Sequence, residues 1–489
     1  MVSDQPVIPG FHPDPSVCRV GDDYYLVCSS FEYFPGVPLF HSRDLLHWTQ
    51  IGNVLDRPAQ LRLPVGMPSS GGVYAPTLRH HDGRFWLIVT NCAEGGGNLL
   101  VTATDPAGPW SDPVRLPGVK GIDPDLAWDE DGTCWCTYAG VSQVAIDPYT
   151  GRTLGEERRL WSGAPGAKAP EAPHLYRIGE YWYLLIAEGG TERGHGVSIA
   201  RGPGPAGPFE PCPHNPVLTH RGTDHPVQNT GHGDLVQAPD GSWWLVFLGV
   251  RPRGGTPGWH VMGRETFLAP VTWTEDGWPV VGDIVAPGTH AADEPFRDDF
   301  DLPEFHPSWI SVRDRSPEHC TTKERPGWLT LRARGASLDE RDAVFIGRRQ
   351  QQLACRVDAL IDGTQGVGGL AVRLDERHHY GIETDGTQAR VISRVGSVRS
   401  VVATLPVPAG PAVLSVRITQ PPQPHDARTG PDVVILGVEQ PDGTFAALAT
   451  LDGRYLSTEV AGGFTGRVIG LYAAQGTVHA DWFTYEPTT

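Results

Sequence analysis

The chain has 489 residues and a formal net charge of −18. That length exceeds one ordinary compact core, so two domains is the default expectation. The acidic balance disfavours phosphate backbones and anionic lipid, and no apolar run approaches the roughly 18 residues of a membrane span, so neither nucleic acid nor membrane is expected as a partner.

With 60 Gly and 46 Pro, about one residue in five is a turn former, and 15 Trp, 13 Tyr and 15 Phe add strand-favouring aromatics. Short strands joined by many turns are expected, hence an all-β protein. The eight cysteines are scattered, and the nearest pair, Cys134 and Cys136, fits no common zinc or redox spacing. They read as small buried residues in a reducing compartment. The N-terminus lacks a charged segment followed by an apolar stretch, so a cytoplasmic location is expected.

From Val7 onward one unit recurs five times: an apolar strand, a tight turn, and an aromatic-rich strand. The aromatic strands begin at Asp23-Tyr24-Tyr25, Arg84-Phe85-Trp86, Cys134-Trp135-Cys136, Tyr181-Trp182-Tyr183 and Ser242-Trp243-Trp244. Turn pairs precede them, among them Gly21-Asp22, Asp82-Gly83, Asp131-Gly132 and Asp240-Gly241. Units of this length with several strands each predict a five-bladed β-propeller over residues 1–290.

In a propeller the innermost strand of each blade lines the central channel, so one fixed repeat position should converge on the axis. That position holds Asp14, Ala75, Asp123, Ala172 with Glu171 beside it, and His232. A lone Asp-Pro is usually a turn. Three carboxylates and a histidine in repeat register are different, because like charges gathered at one place cost energy unless they are used.

The repeat ends after Trp278, and Pro287 to Pro295 reads as a linker. From residue 296 to 489, about a dozen short strands with apolar–polar alternation predict an antiparallel two-sheet sandwich. Expected strands include Trp328 to Leu331, Leu353 to Ile361, Val413 to Ile418, Val433 to Val438 and Arg467 to Tyr472. Arg332, Arg334, Arg348, Arg349, Arg373 and Arg390 read as its solvated face, and His378-His379 as solvent-facing.

Gly202 to Gly207 spells G-x-G-x-x-G, but two prolines remove the amides a pyrophosphate would need and no helix follows. No metal-ligand spacing is present, so metal catalysis is not expected.

Phe11-His12-Pro13-Asp14-Pro15-Ser16, Ser29 to Pro38, Ser70 to Pro76, Ile122-Asp123-Pro124, Glu171 to Tyr176, Gly231 to Val236 and Gly263-Arg264-Glu265 together resemble glycoside hydrolase family 43. The tail resembles the concanavalin- or lectin-like jelly roll behind the propeller in β-xylosidase-type members. The resemblance implies an inverting glycosidase with Asp14 as general base, Glu171 as general acid and Asp123 as the residue that orients the acid and raises its pKa. Asp125, two residues on, is a second candidate for Asp123's role; Asp123 is favoured because it shares the register of Asp14. Inversion also follows from blade order, since Asp14 and Glu171 lie on blades one and four, which are not neighbours in a five-membered ring.

The resemblance further implies Phe31 and Tyr74 as walls for a pentose ring. It implies His232 as an axial histidine holding a water or an ion, and Arg264 and Arg251 as sugar-binding arginines. The expected function is exo-release of non-reducing-end β-D-xylosyl units from short xylo-oligosaccharides. The alternatives are α-L-arabinofuranosidase or dual activity, and, of another class, a non-catalytic sugar-binding protein. No cofactor is required; the resemblance allows a structural calcium ion and an oligomer.

Overall fold

A computed structural model of the chain describes residues 3–94, 97–335, 337–421 and 426–488. Residues up to Val281 form five antiparallel sheets, each laid out from the axis outward in chain order. The innermost strands are Ser16–Val20, Val73–His81, Asp125–Trp128, Glu171–Ile178 and Gln228–Gln237. Each pairs with the aromatic strand expected beside it: Asp23–Val27, Arg84–Asn91, Cys134–Tyr138, Tyr181–Glu188 and Trp243–Val250. Aromatic and β-branched side chains fill the space between blades, which is why that strand carries the repeat signal. The N-terminal segment closes the ring: the Val7 amide donates to the Thr266 carbonyl (2.8 Å), and Ile8 bridges the same residue of blade five.

Two residues beyond the expected register position, the strand period of two brings a second polar layer to the axis. It holds Ser16, Asp125, His174 and Asp234, and Arg79 of blade two reaches into it. Arg79 Nη1 donates to Asp234 Oδ2 and Nη2 contacts Asp125 Oδ1, both at 2.8 Å, while Nη2 also donates to His174 Nδ1 at 2.9 Å. The two carboxylates are fully buried. Asp234 also accepts from Ser16 Oγ (2.8 Å), the Val17 amide (3.0 Å) and the Tyr176 hydroxyl. Asp125 accepts from the Leu175 amide at 2.9 Å, and Leu78 donates to Ser16 Oγ at 3.1 Å. All five blades therefore meet in one charged cluster.

The sandwich differs in detail from the expected dozen short strands. Two strands of about twenty residues, Cys355–Asp375 and Val468–Pro487, pair along most of their length and serve both sheets. Register shifts near Ile361, Gln365 and Gly368 bend them, in a stretch where glycine removes the side chain that would resist bending. The other expected strands appear as Trp328–Arg332, Ala412–Thr419 and Val433–Glu439. The sole α-helix among the described residues is Thr458–Ala461.

The expected solvated arginine face is a correction. Arg348, Arg349 and Arg373 are buried: Arg349 and Arg373 against the propeller, and Arg348 over the Phe296 ring (3.4 Å) and against Ser308 of its own domain. Arg373, only 1% exposed, donates to the Tyr33 hydroxyl (3.1 Å), and Arg349 lies 4.5 Å from the Phe11 ring. Nor do His378 and His379 face solvent; they are buried against Asp375 and Asp339. The two domains share backbone as well: Tyr33–Phe34 pairs with Ile310–Val312. Arg313 Nε and Nη2 both donate to the Met67 carbonyl, and one apolar cluster contains Phe11, Phe31 and Tyr33 together with Ile310, Phe345 and Tyr472. All eight cysteines are free thiols, seven of them buried.

Removing Arg79 would strand two buried carboxylates. Arg79→Met is expected to lower stability by about 3–5 kcal/mol, whereas Arg297→Met, in an exposed pair with Asp299, should stay within about 0.5 kcal/mol. Urea unfolding of both variants checks this; equal effects would contradict the axial role.

Candidate active site

Above the charged cluster, the repeat-register residues surround a cavity of about 90 Å³. Asp14, Asp123, Glu171 and His232 line it, with Phe31, Tyr74, Ala75 and Arg264. Asp14, Asp123, Ala172 and His232 all have positive φ, between 47° and 57°. Each is a non-glycine residue in the left-handed region, at a cost of about 1–2 kcal/mol. Such a turn at the same place in four blades departs from regular strand geometry where the side chains must face the axis. A register shift between Glu171 and His174 explains why Glu171, not Ala172, lines the cavity in blade four.

The three carboxyls are in different electrostatic states. Burial alone would raise Asp14, but Arg264 Nη1 (2.9 Å), then His232, then the Ser29 hydroxyl (2.5 Å) outweigh it and hold the carboxyl below its ordinary range. Glu171 is pushed up to about 7 by burial and then by the charge of Asp14. Asp123 is pushed well up by burial, then by Glu171 and Asp14. Asp123 and Glu171 therefore act as one pair that retains a proton near neutrality, opposite a carboxylate that does not. His232 Nδ1 lies 3.5 Å from Asp14 Oδ1. Burial, aided by His174 and Arg264 against the pull of Asp14, takes His232 down to about 4, so it is neutral.

Asp125 does not line the cavity; it is held by Arg79 and the Leu175 amide in the layer below. Arg251 is a correction to the expected sugar-binding set. Its guanidinium forms a two-point pair with buried Glu265 (2.6 and 2.9 Å), which also accepts from the Gly10 amide. That geometry ties blade five to the ring closure and leaves Arg251 outside the cavity lining.

Four lining residues were not foreseen: Ile122, Thr191, His195 and Phe464. Thr191 Oγ1 accepts from Arg264 Nη1 at 3.1 Å. Phe464 comes from the sandwich and stacks on Phe31, with ring centres 5.9 Å apart. Its only sequence signal is an aromatic residue inside Gly462-Gly463-Phe464-Thr465-Gly466. Next to the cavity lies a second one of about 310 Å³ between the domains, sharing Thr191, Arg264 and Phe464. Among the described residues no group of three or more His, Cys, Asp or Glu side chains is placed to hold a metal ion.

An axial pocket that sets an ionised carboxyl beside a pair that retains a proton has the groups that acid–base hydrolysis needs. The family model for glycosyl hydrolases family 43 matches residues 3–279, and that for the β-xylosidase C-terminal concanavalin A-like domain matches residues 297–486. The chain is 40% identical to the non-reducing end α-L-arabinofuranosidase BoGH43B of Bacteroides ovatus, over 98% of this chain and 94% of that protein. It is 34% identical to a xylosidase/arabinosidase of Butyrivibrio fibrisolvens, over 98% and 97%. The solved structure of xylan β-1,4-xylosidase from Bacillus halodurans C-125 superposes with a TM-score of 0.89 at 32% identity, covering all of both chains. The chain belongs to glycoside hydrolase family 43; it is a glycoside hydrolase, and its substrate is a carbohydrate.

The proton of the Asp123–Glu171 pair should leave as pH rises through about 7, while Asp14 stays ionised to below the usual carboxylate range. The kcat/KM for an aryl glycoside is expected to fall on the alkaline side of that value, and Glu171→Gln should delete this limb. A rate that stays level as pH rises through about 7 contradicts the assignment.

Proposed function

We propose that the protein is an inverting exo-glycosidase that removes single pentosyl units from the non-reducing ends of short plant cell-wall oligosaccharides. The observation that carries this reading is the small axial pocket of about 90 Å³, lined by the three carboxyls and walled on one side by Phe464 of the sandwich, with the Arg79 cluster beneath it; it suits a chain end and not a chain passing through. Asp14, ionised, takes a proton from the attacking water. Glu171, protonated, gives its proton to the glycosidic oxygen as that bond breaks. Asp123 shares the proton with Glu171 and holds it in place. Phe31, Tyr74 and Phe464 supply an apolar wall, and Arg264 fixes Asp14 while facing the sugar. The 310 Å³ cavity receives the leaving part of the oligosaccharide.

β-D-Xylosyl ends of xylo-oligosaccharides are the first reading of the substrate. A second reading, α-L-arabinofuranosyl ends, is favoured by one observation: the 40% identical relative, matched over nearly its whole length, is named for that activity.

Turnover of an aryl β-D-xyloside should be compared with that of an aryl α-L-arabinofuranoside, with Asp14→Asn as the control. Hydrolysis of at least one is expected, abolished by Asp14→Asn, with monosaccharide as the only small product from an oligosaccharide. Activity on neither, or release of internal fragments, would overturn the reading.

A further inference from the structure

The segment from Ser457 to Gly466 crosses from the sandwich to the propeller and delivers Phe464 to the sugar cavity. It is fastened at four places. The Thr458 amide donates to the His260 carbonyl (3.3 Å), the Phe464 amide to Ser70 Oγ (2.9 Å), and the Arg467 amide to the Val261 carbonyl (3.2 Å). The fourth fastening is a side chain: Glu459 accepts from the His260 amide (2.9 Å) and from His260 Nδ1 (2.6 Å), one carboxylate oxygen for each.

Glycines let the strap lie this close. A Cβ on Gly463 would fall 2.5 Å from Ser70 Oγ, and one on Gly466 would fall 2.2 Å from the Met262 carbonyl oxygen. Gly462 and Gly463 also have φ of 76° and 85°, which permits a sharp turn just before Phe464. Backbone this permissive does not fix the aromatic ring by itself. Of the four fastenings, only that at Glu459 uses a charged group and two bonds at once, and hydrogen bonds to charged groups are the stronger kind.

We propose that Glu459 is a positioning residue for hydrolysis: through His260 it clamps the interdomain strap so that Phe464 closes the sugar cavity. The inference rests on the pentosidase reading for its kinetic half, and on the strap alone for its structural half. Glu459 side-chain exposure is 24%, and Glu459 also lines the larger cavity, so direct contact with the leaving sugar is the competing role.

Two measurements on the full chain test it. Hydrogen exchange needs no substrate. Glu459→Ala should speed exchange across residues 457–467 by about tenfold, with the urea midpoint unchanged, and Glu459→Gln, whose amide oxygen still accepts from the His260 amide but which lacks the charge and the second acceptor, should fall between wild type and Glu459→Ala. Unchanged exchange in Glu459→Ala overturns the proposal whatever the enzyme's sugar.

The second is a double-mutant cycle on whichever aryl pentoside is turned over. Glu459→Ala and Phe464→Ala should each raise KM by about tenfold with kcat changed far less, because the ring contributes uniform binding. The double variant should resemble Phe464→Ala alone. Effects that multiply would mean Glu459 acts without Phe464 and would overturn the positioning role.

Discussion

Two buried carboxylates, Asp125 and Asp234, share the guanidinium of Arg79 on the propeller axis. A ring of five blades has a hole at its centre, and a cavity for one sugar requires that hole to be stopped at a defined depth. Apolar side chains could fill it, but here the plug is ionic. Its partners come from every blade, so the cluster fixes the blades relative to one another as well as filling space. Asp234 is held well below its ordinary range, burial notwithstanding, by Arg79 and then His174, with the Tyr176 hydroxyl assisting. The lower layer is thereby settled.

The layer above it is not. Asp14, Asp123 and Glu171 are brought together with one guanidinium, Arg264, which sits on Asp14. That single asymmetric contact separates the carboxyls into an ionised one and a protonated pair. Asp14 and Asp123 are the same residue type at the same repeat position, and their different states come from their neighbours. Four left-handed backbone turns and a cluster of like charge make this layer costly. The ionic cluster below and the sandwich beside it hold it together. The sandwich contributes a wall, Phe464, and so belongs to the site and not merely to the chain.

The repeat made the ring, the blade count and the axial register legible in the sequence, because a period imposes the same chemistry on every blade. Asp14, Asp123, Glu171 and His232 were found that way. Phe464 was not, since it lies outside the repeat and 227 residues beyond the end of the last innermost strand of the propeller, Gln228–Gln237. Arg251 misled for a related reason: its partner Glu265 is on the neighbouring strand, and pairing across strands leaves no mark in a local motif. Alternation correctly marked sandwich strands, yet it could not say that one face was covered by the other domain, so buried Arg349 and Arg373 passed for solvated residues. The long curved strands read as short ones because their bends interrupt the alternation.

The central claim is that the ionised carboxyl of Asp14 activates water and never bonds to the sugar. The anomeric proton signals of sugar freshly released from an aryl pentoside, followed by NMR before mutarotation, test it most directly. The account predicts first release of the anomer opposite to that of the substrate. First release of the same anomer would mean a carboxylate attacking as nucleophile, and would contradict it.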